Sequence, residues 1–161
     1  MDLSLGLSLG SATVATASAY APHKYWRIYI DENQGGTYCG LDGVELQDGV
    51  GTNLVPDTTG ASASSQVNAA NAPTYAFDET QNANQWLSQA ATVDEWLQYE
   101  FTTAQDVRIL QIIATTNVAE QNFYPKNFRV QHSDNGVDYT DILTVTNESA
   151  WSSGELRTYN L

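Results

Sequence analysis

The chain has 161 residues, 42% of them hydrophobic, enough for one domain with a substantial core and too much apolar content for wholesale disorder. Nineteen acidic residues against six Lys and Arg give a formal charge of −13, a field that repels phosphate backbones and argues against nucleic acid as a partner. The same charge suits a solvated acidic surface or divalent-cation binding, and no apolar run approaches the ~18 residues of a membrane helix, so no membrane insertion is expected.

The chain opens with MDLSLGLSLGSATVATASA, in which a Leu-Ser-Leu-Gly unit is written twice. Leu3, Leu5, Leu7 and Leu9 alternate with Ser and Gly, which favours extended chain over helix. An arm of this kind, residues 1–22, cannot bury its leucines alone and needs a partner surface on its own domain or on a neighbour. A cleaved secretory leader is an alternative, although Asp2 stands where a positive segment belongs and Ser and Gly interrupt the apolar run.

Residues 23–161 read as one β domain. In HKYWRIYI, Tyr25, Arg27 and Tyr29 alternate with Trp26, Ile28 and Ile30, giving a strand with one fully apolar face. LDGVELQ follows with Leu41, Val44 and Leu46 as apolar anchors, and a Gly-, Asn-, Thr- and Ser-rich loop region runs from 48 to 71. WLQYEF alternates Leu97, Tyr99 and Phe101 with Trp96, Gln98 and Glu100, and DVRILQIIA is a buried-looking strand. Phe128, Val130 and His132 lead into Ser-Asp-Asn-Gly, a hairpin turn, with Ile142, Leu143 and Val145 on the return and GELRTYNL as a last strand. Polar turns between many strands, without a capped 3.6-residue period, predict an all-β antiparallel sandwich.

Catalytic signatures are missing from the chain: there is no Gly-x-Ser-x-Gly, no His-x-x-x-His and no phosphate-binding Gly loop. The single cysteine, Cys39, cannot form an internal disulfide and has no histidine motif beside it, so a structural thiol is expected. Asp78-Glu79 and Asp94-Glu95 are adjacent pairs, which on a strand would face opposite ways. Asn147-Glu148-Ser149 is a glycosylation sequon, relevant only in a eukaryotic secretory pathway.

Five landmarks in order carry a family likeness: Ala63-Ser64-Ser65, Ala76-Phe77-Asp78, Trp86, the WLQYEF strand, and the Ser-Asp-Asn-Gly turn before an aromatic. Residues 24–161 thereby resemble the discoidin, or coagulation factor 5/8 type C, domain, which implies a galactose-binding-like jelly-roll sandwich. In that family an Arg-Tyr-hydrophobic strand and a Glu-bearing strand usually come last. KYWRIYI and DGVEL look like those closing elements moved to the front, so the resemblance implies a circularly permuted form with Leu161 near residues 20–24, as in bacteriophage structural proteins.

The likeness also implies candidate sites. Asp78, an amide oxygen of Asn82 or Asn84, and Glu45 match positions where the family often holds calcium, an ion that takes six to eight oxygen ligands. Glu79 replaces the usual Gly and the spacing to Trp86 is one residue longer, and the alternative is that Asp78 caps its loop by hydrogen bonds. For a glycan, which needs an aromatic ring and polar groups, Phe123, Tyr124 and Trp151 are the loop candidates, with a core lid or subunit interface as the alternative. Arg129 and His132 read as structural, and Trp26, Trp86 and Trp96 as core. The expected function is a non-enzymatic virion structural protein of a bacteriophage, a tail, fibre-associated or capsid-decorating subunit. Its arm would dock on other virion subunits in a homo-oligomer or heteromeric assembly, and its sandwich would stiffen the particle or bind cell-surface glycans. The alternatives are a free, secreted carbohydrate-binding module or lectin, and an adhesion module that binds protein.

Overall fold

The computed structural model describes residues 21–80, 84–89 and 94–161, so Leu3, Leu5, Leu7, Leu9 and Asn82 lie outside the described residues. Among the described residues ten strands follow in order: β1 (His23–Asn33), β2 (Gly40–Leu41), β3 (Gly43–Gln47), β4 (Ala61–Ala63), β5 (Trp86–Leu87), β6 (Glu95–Gln105), β7 (Ile109–Ile113), β8 (Pro125–Ser133), β9 (Thr140–Val145) and β10 (Leu156–Asn160). They form a five-stranded sheet ordered β4-β6-β1-β8-β9, a three-stranded sheet ordered β10-β7-β3, and the short pair β2-β5, all antiparallel. Helical structure among the described residues is limited to 3-10 turns at Ala69–Asn71, Pro73–Ala76 and Val118–Phe123, none long and apolar enough to cross a membrane.

β1 is the spine of the larger sheet. Ile28 stands opposite Leu97 of β6 on one side and Val130 of β8 on the other, and all three are buried. They join Val44, Leu46, Leu110 and Ile112 of the smaller sheet in one continuous core. Each such side chain contributes roughly 1.5–3 kcal/mol by leaving water. The period-two pattern in the sequence thus sets which face of β1 meets the second sheet.

The outer face of β1 is not bare. The Arg27 guanidinium lies 3.4 Å from the Tyr139 ring centroid and 5.3 Å from that of Tyr29, and Trp96 stands opposite Tyr29. Trp96 is half-buried on this outer face, which corrects its assignment to the core; Trp26 and Trp86 are buried. The expected hairpin joins β8 and β9, with Ser133 Oγ accepting from the main-chain N–H of Gly136 at 3.0 Å and Gly136 at φ 70°, a left-handed conformation suited to glycine.

The two ends of the sandwich differ. At one end His23 stands opposite Gln105, and Gln105 shares a depression with Asp48, Asn160 and Leu161. At the other end lie the segment after β1, the β2–β3 corner and the loop leaving β7.

Candidate functional site

Tyr124 organises that second end. Its ring is fully buried, and its hydroxyl accepts from the main-chain N–H of Thr115 at 2.7 Å and of Asp42 at 3.1 Å. The same hydroxyl lies 3.4 Å from the Ile113 carbonyl, to which it donates. One side chain therefore ties the β2–β3 corner to the loop after β7. Burial pushes the Tyr124 phenol far above its ordinary range, so it stays a neutral donor and acceptor.

Two further segments close a pocket of about 240 Å³ around these groups. The turn Ala69–Asn71 is capped by Asn68, whose Oδ1 accepts from Ala70 N–H at 2.7 Å, and Asn71 Nδ2 donates to the main-chain oxygen of Gln85 at 3.2 Å. Gln85 is held by its neighbour Trp86, which is buried and donates Nε1 to Ser65 O at 2.9 Å. Opposite, Asn117 caps the turn Val118–Phe123 by accepting from Ala119 N–H at 3.2 Å, which sets Glu120 in its first turn. Gln85 Nε2 donates to Glu120 Oε2, joining the two walls.

The lining is all polar: Asp42, Asn71, Asn84, Gln85, Thr115, Asn117 and Glu120. Asp42 is 2% exposed, and among the described residues no Lys, Arg or His borders the space. The pocket offers carboxylate and amide oxygens with a few N–H donors, chemistry that engages hydroxyl groups or a cation and repels anions.

The sequence candidates fall elsewhere, with one exception. Tyr124 is fully buried and presents no face to a sugar, a correction to the glycan expectation, whereas Trp151, buried as it is, borders a cavity of about 460 Å³ with Gln34, Gln121 and Asn122. Trp151 donates Nε1 to Pro125 O at 3.0 Å, and its ring is covered by the Arg157 guanidinium at 4.1 Å. Phe123 is half-buried edge-on to Tyr38 at 5.5 Å and closes over Gly36, where an added Cβ would meet its ring at 2.3 Å. The Trp151 ring packs against that of Tyr124 at 5.2 Å between centroids.

Of the calcium candidates, Asp78 Oδ1 accepts from Thr80 N–H at 2.8 Å, a loop cap, with Glu79 at φ 58° beside it. Glu45 accepts from Gln47 Nε2 at 2.6 Å and borders a cavity of about 290 Å³ with Glu79 and Thr80. Asn84 lines the 240 Å³ pocket instead, so the structure puts Asn84 and Glu45 on different cavities. Among the described residues no three His, Cys, Asp or Glu side chains gather into a metal-binding group. Cys39 is buried, and desolvation pushes its thiol up to about 11, which suits a structural role.

Asp42, Asn71, Gln85, Thr115, Asn117 and Glu120 escaped the sequence reading. They come from four separated segments, and none belongs to a motif. The only local hint is Asn at positions 68 and 117, each capping a short turn.

The architecture is an antiparallel β-sandwich with a polar pocket among its end loops. The F5/8 type C domain matches residues 60–161, more than half of the chain, and the chain belongs to that family. Such domains are carbohydrate- or surface-binding modules and are generally non-catalytic. Neither the curated proteins nor the solved structures hold a match to this chain.

Proposed function

We propose that the protein is a non-enzymatic adhesion module that recognises the hydroxyl groups of a surface glycan through the pocket between Asp42 and Glu120. The observation that carries this reading is a concave, wholly polar site whose walls are tied together by the Tyr124 hydroxyl and the Gln85–Glu120 bond. Carboxylate and amide groups pair well with vicinal hydroxyls, and fixed walls reduce the ordering cost of binding.

The setting we propose is a virion, with the Leu-Ser-Leu-Gly arm docking on neighbouring subunits and burying its leucines there. The arm joins the sandwich just before β1, at the end away from the pocket, which supports a division between anchoring and recognition. We also propose that the domain is circularly permuted. β1 and β3 precede the matched segment, yet β1 is the central strand of the larger sheet and β3 pairs with β7.

One experiment addresses both parts. The full chain and residues 20–161 are compared on a glycan array and by sedimentation velocity. The expected outcome is equal binding to a defined sugar by both, with the full chain alone forming higher assemblies. Silence of both on the array sinks the glycan reading, and identical sedimentation sinks the arm's role.

A further inference from the structure

The chain has six Lys and Arg, and five of them stand within ion-pair distance of a carboxylate. Arg27, on the outer face of β1, is the exception among the described residues, in a chain with nineteen acidic side chains. Its Nε donates to Gln131 Oε1 on β8. The two terminal nitrogens have no protein partner among the described residues and are not sealed from solvent. The guanidinium is nevertheless fixed in place, under the Tyr139 ring at 3.4 Å and beside the Tyr29 ring at 5.3 Å, while Arg129 covers Tyr29 at 4.3 Å. Its plane is therefore set before any partner arrives, which lowers the ordering cost of an encounter.

Glu100 of β6 stands on the same face. It lies opposite Tyr25, and Gln98 lies opposite Arg27, so Glu100 is one diagonal step from Arg27, about 7–8 Å in backbone spacing. Arg27 leans the other way, towards Gln131, and the two do not meet. Lys24 Nζ at 2.8 Å and the Tyr25 hydroxyl at 3.1 Å both engage Oε1 of Glu100, which is exposed. Oε2 is left without a protein partner among the described residues. An open pair of donors and an open carboxylate oxygen thus stand side by side. A two-fold axis between them sets each group against its counterpart on a second copy, giving two reciprocal charge-assisted pairs, the pattern of an isologous interface. The ring faces of Tyr139 and Tyr29 are taken by guanidinium groups, so this surface suits a flat protein partner better than the stacked ring of a sugar.

We propose that the outer face of the larger sheet docks a second copy of this chain, with Arg27 of each protomer on Glu100 of the other and Tyr25, Trp96 and Tyr139 packed around the two pairs. Tyr, Trp and Arg are the residues that dominate the energetics of protein interfaces, and here they are gathered on one half-buried face. The net charge of each chain opposes the encounter. At physiological ionic strength the Debye length is about 8 Å, so that repulsion is largely screened while the close Arg27–Glu100 pairs are not. The surface lies along the side of the sandwich, and the dimer depends neither on the glycan reading nor on the arm.

The test is sedimentation velocity of the full chain over a concentration series, for the parent, Arg27→Glu, Glu100→Arg and an equimolar mixture of the two variants. Each variant alone is expected to lose at least about tenfold in self-association, because like charges then face each other across the axis. The mixture is expected to recover the parental dimer, since both cross-pairs are again of opposite sign. Arg27→Glu deepens the net negative charge and Glu100→Arg reduces it, so a loss in both cannot come from overall repulsion. A parent that stays monomeric overturns the proposal, and so does a mixture that sediments as the sum of its parts. Parental association in either variant also overturns it, and in both it assigns assembly to another surface such as the arm. Near-UV circular dichroism checks folding; Glu100 is exposed, so Glu100→Arg decides the matter if Arg27→Glu does not fold.

Discussion

The Tyr124 hydroxyl serves three backbone groups at once, on Asp42, Thr115 and Ile113. Tyr124→Phe keeps the ring and strands two buried N–H donors, so it should cost about 2–4 kcal/mol. Urea denaturation measures that loss, and ligand affinity should fall with it as the two pocket walls part. A change below ~0.5 kcal/mol would show that the hydroxyl is not what joins them. In the sequence, Phe123-Tyr124 stands in a polar stretch and looks like an exposed aromatic pair. Only the chain's return through Asp42, some eighty residues earlier, encloses it. Gln85 and Glu120 were illegible for the same reason: their meaning lies in a cross-loop contact, which no local pattern encodes.

At the scale of strands, the start of β1 is held by an unusual stack. The rings of His23 and His132 lie 3.5 Å apart at 12°, beside Trp26, and His23 Nδ1 is 3.0 Å from Asp134 Oδ1. Burial, and then the neighbouring His23, lower the pKa of His132 below its usual value near 6.5. A lowered folded pKa means that the unfolded chain takes up the proton first. The contribution is complete above the unfolded value and is lost as pH falls through the folded one. Thermal midpoints should therefore begin to drop below about pH 6.5, and His132→Gln should flatten that limb. The carboxylates that hydrogen bonds hold below their ordinary range, Asp48, Asp57, Glu100 and Glu155, form a separate limb at more acidic pH. An unchanged profile in the variant would dismiss the stack as a pH-sensitive element. β1, β6, β8 and β9 were readable because each is long enough to show alternation. β2, β4 and β5 are two or three residues long, and no period can show in so few. Trp96 is instructive, since alternation with buried Leu97 already placed it outside, and its bulk pulled the reading inward.

For the whole molecule, the sequence order and the spatial order of strands disagree, and that disagreement is testable. Because Leu161 and His23 both sit near Gln105, a short Gly-Ser linker should join them. New termini fit between Val50, which is 88% exposed, and Gly51. A chain running 51–161, linker, 23–50 is expected to fold with a thermal midpoint within a few degrees of the 23–161 parent. Failure to give a cooperative transition would count against the permuted arrangement. The sandwich class and the family were legible because both rest on local alternation and ordered landmarks; the pocket was not, because it is assembled across the fold. The separation of the two ends has a further consequence. β1 has eleven residues and spans roughly 35 Å from His23 to Asn33, near the pocket end. A protomer tethered at its His23 pole therefore holds its mouth about that far from the anchoring surface, facing outward. Were many copies fixed in this way, as the proposed arm docking implies, avidity would add to whatever strength a single site has.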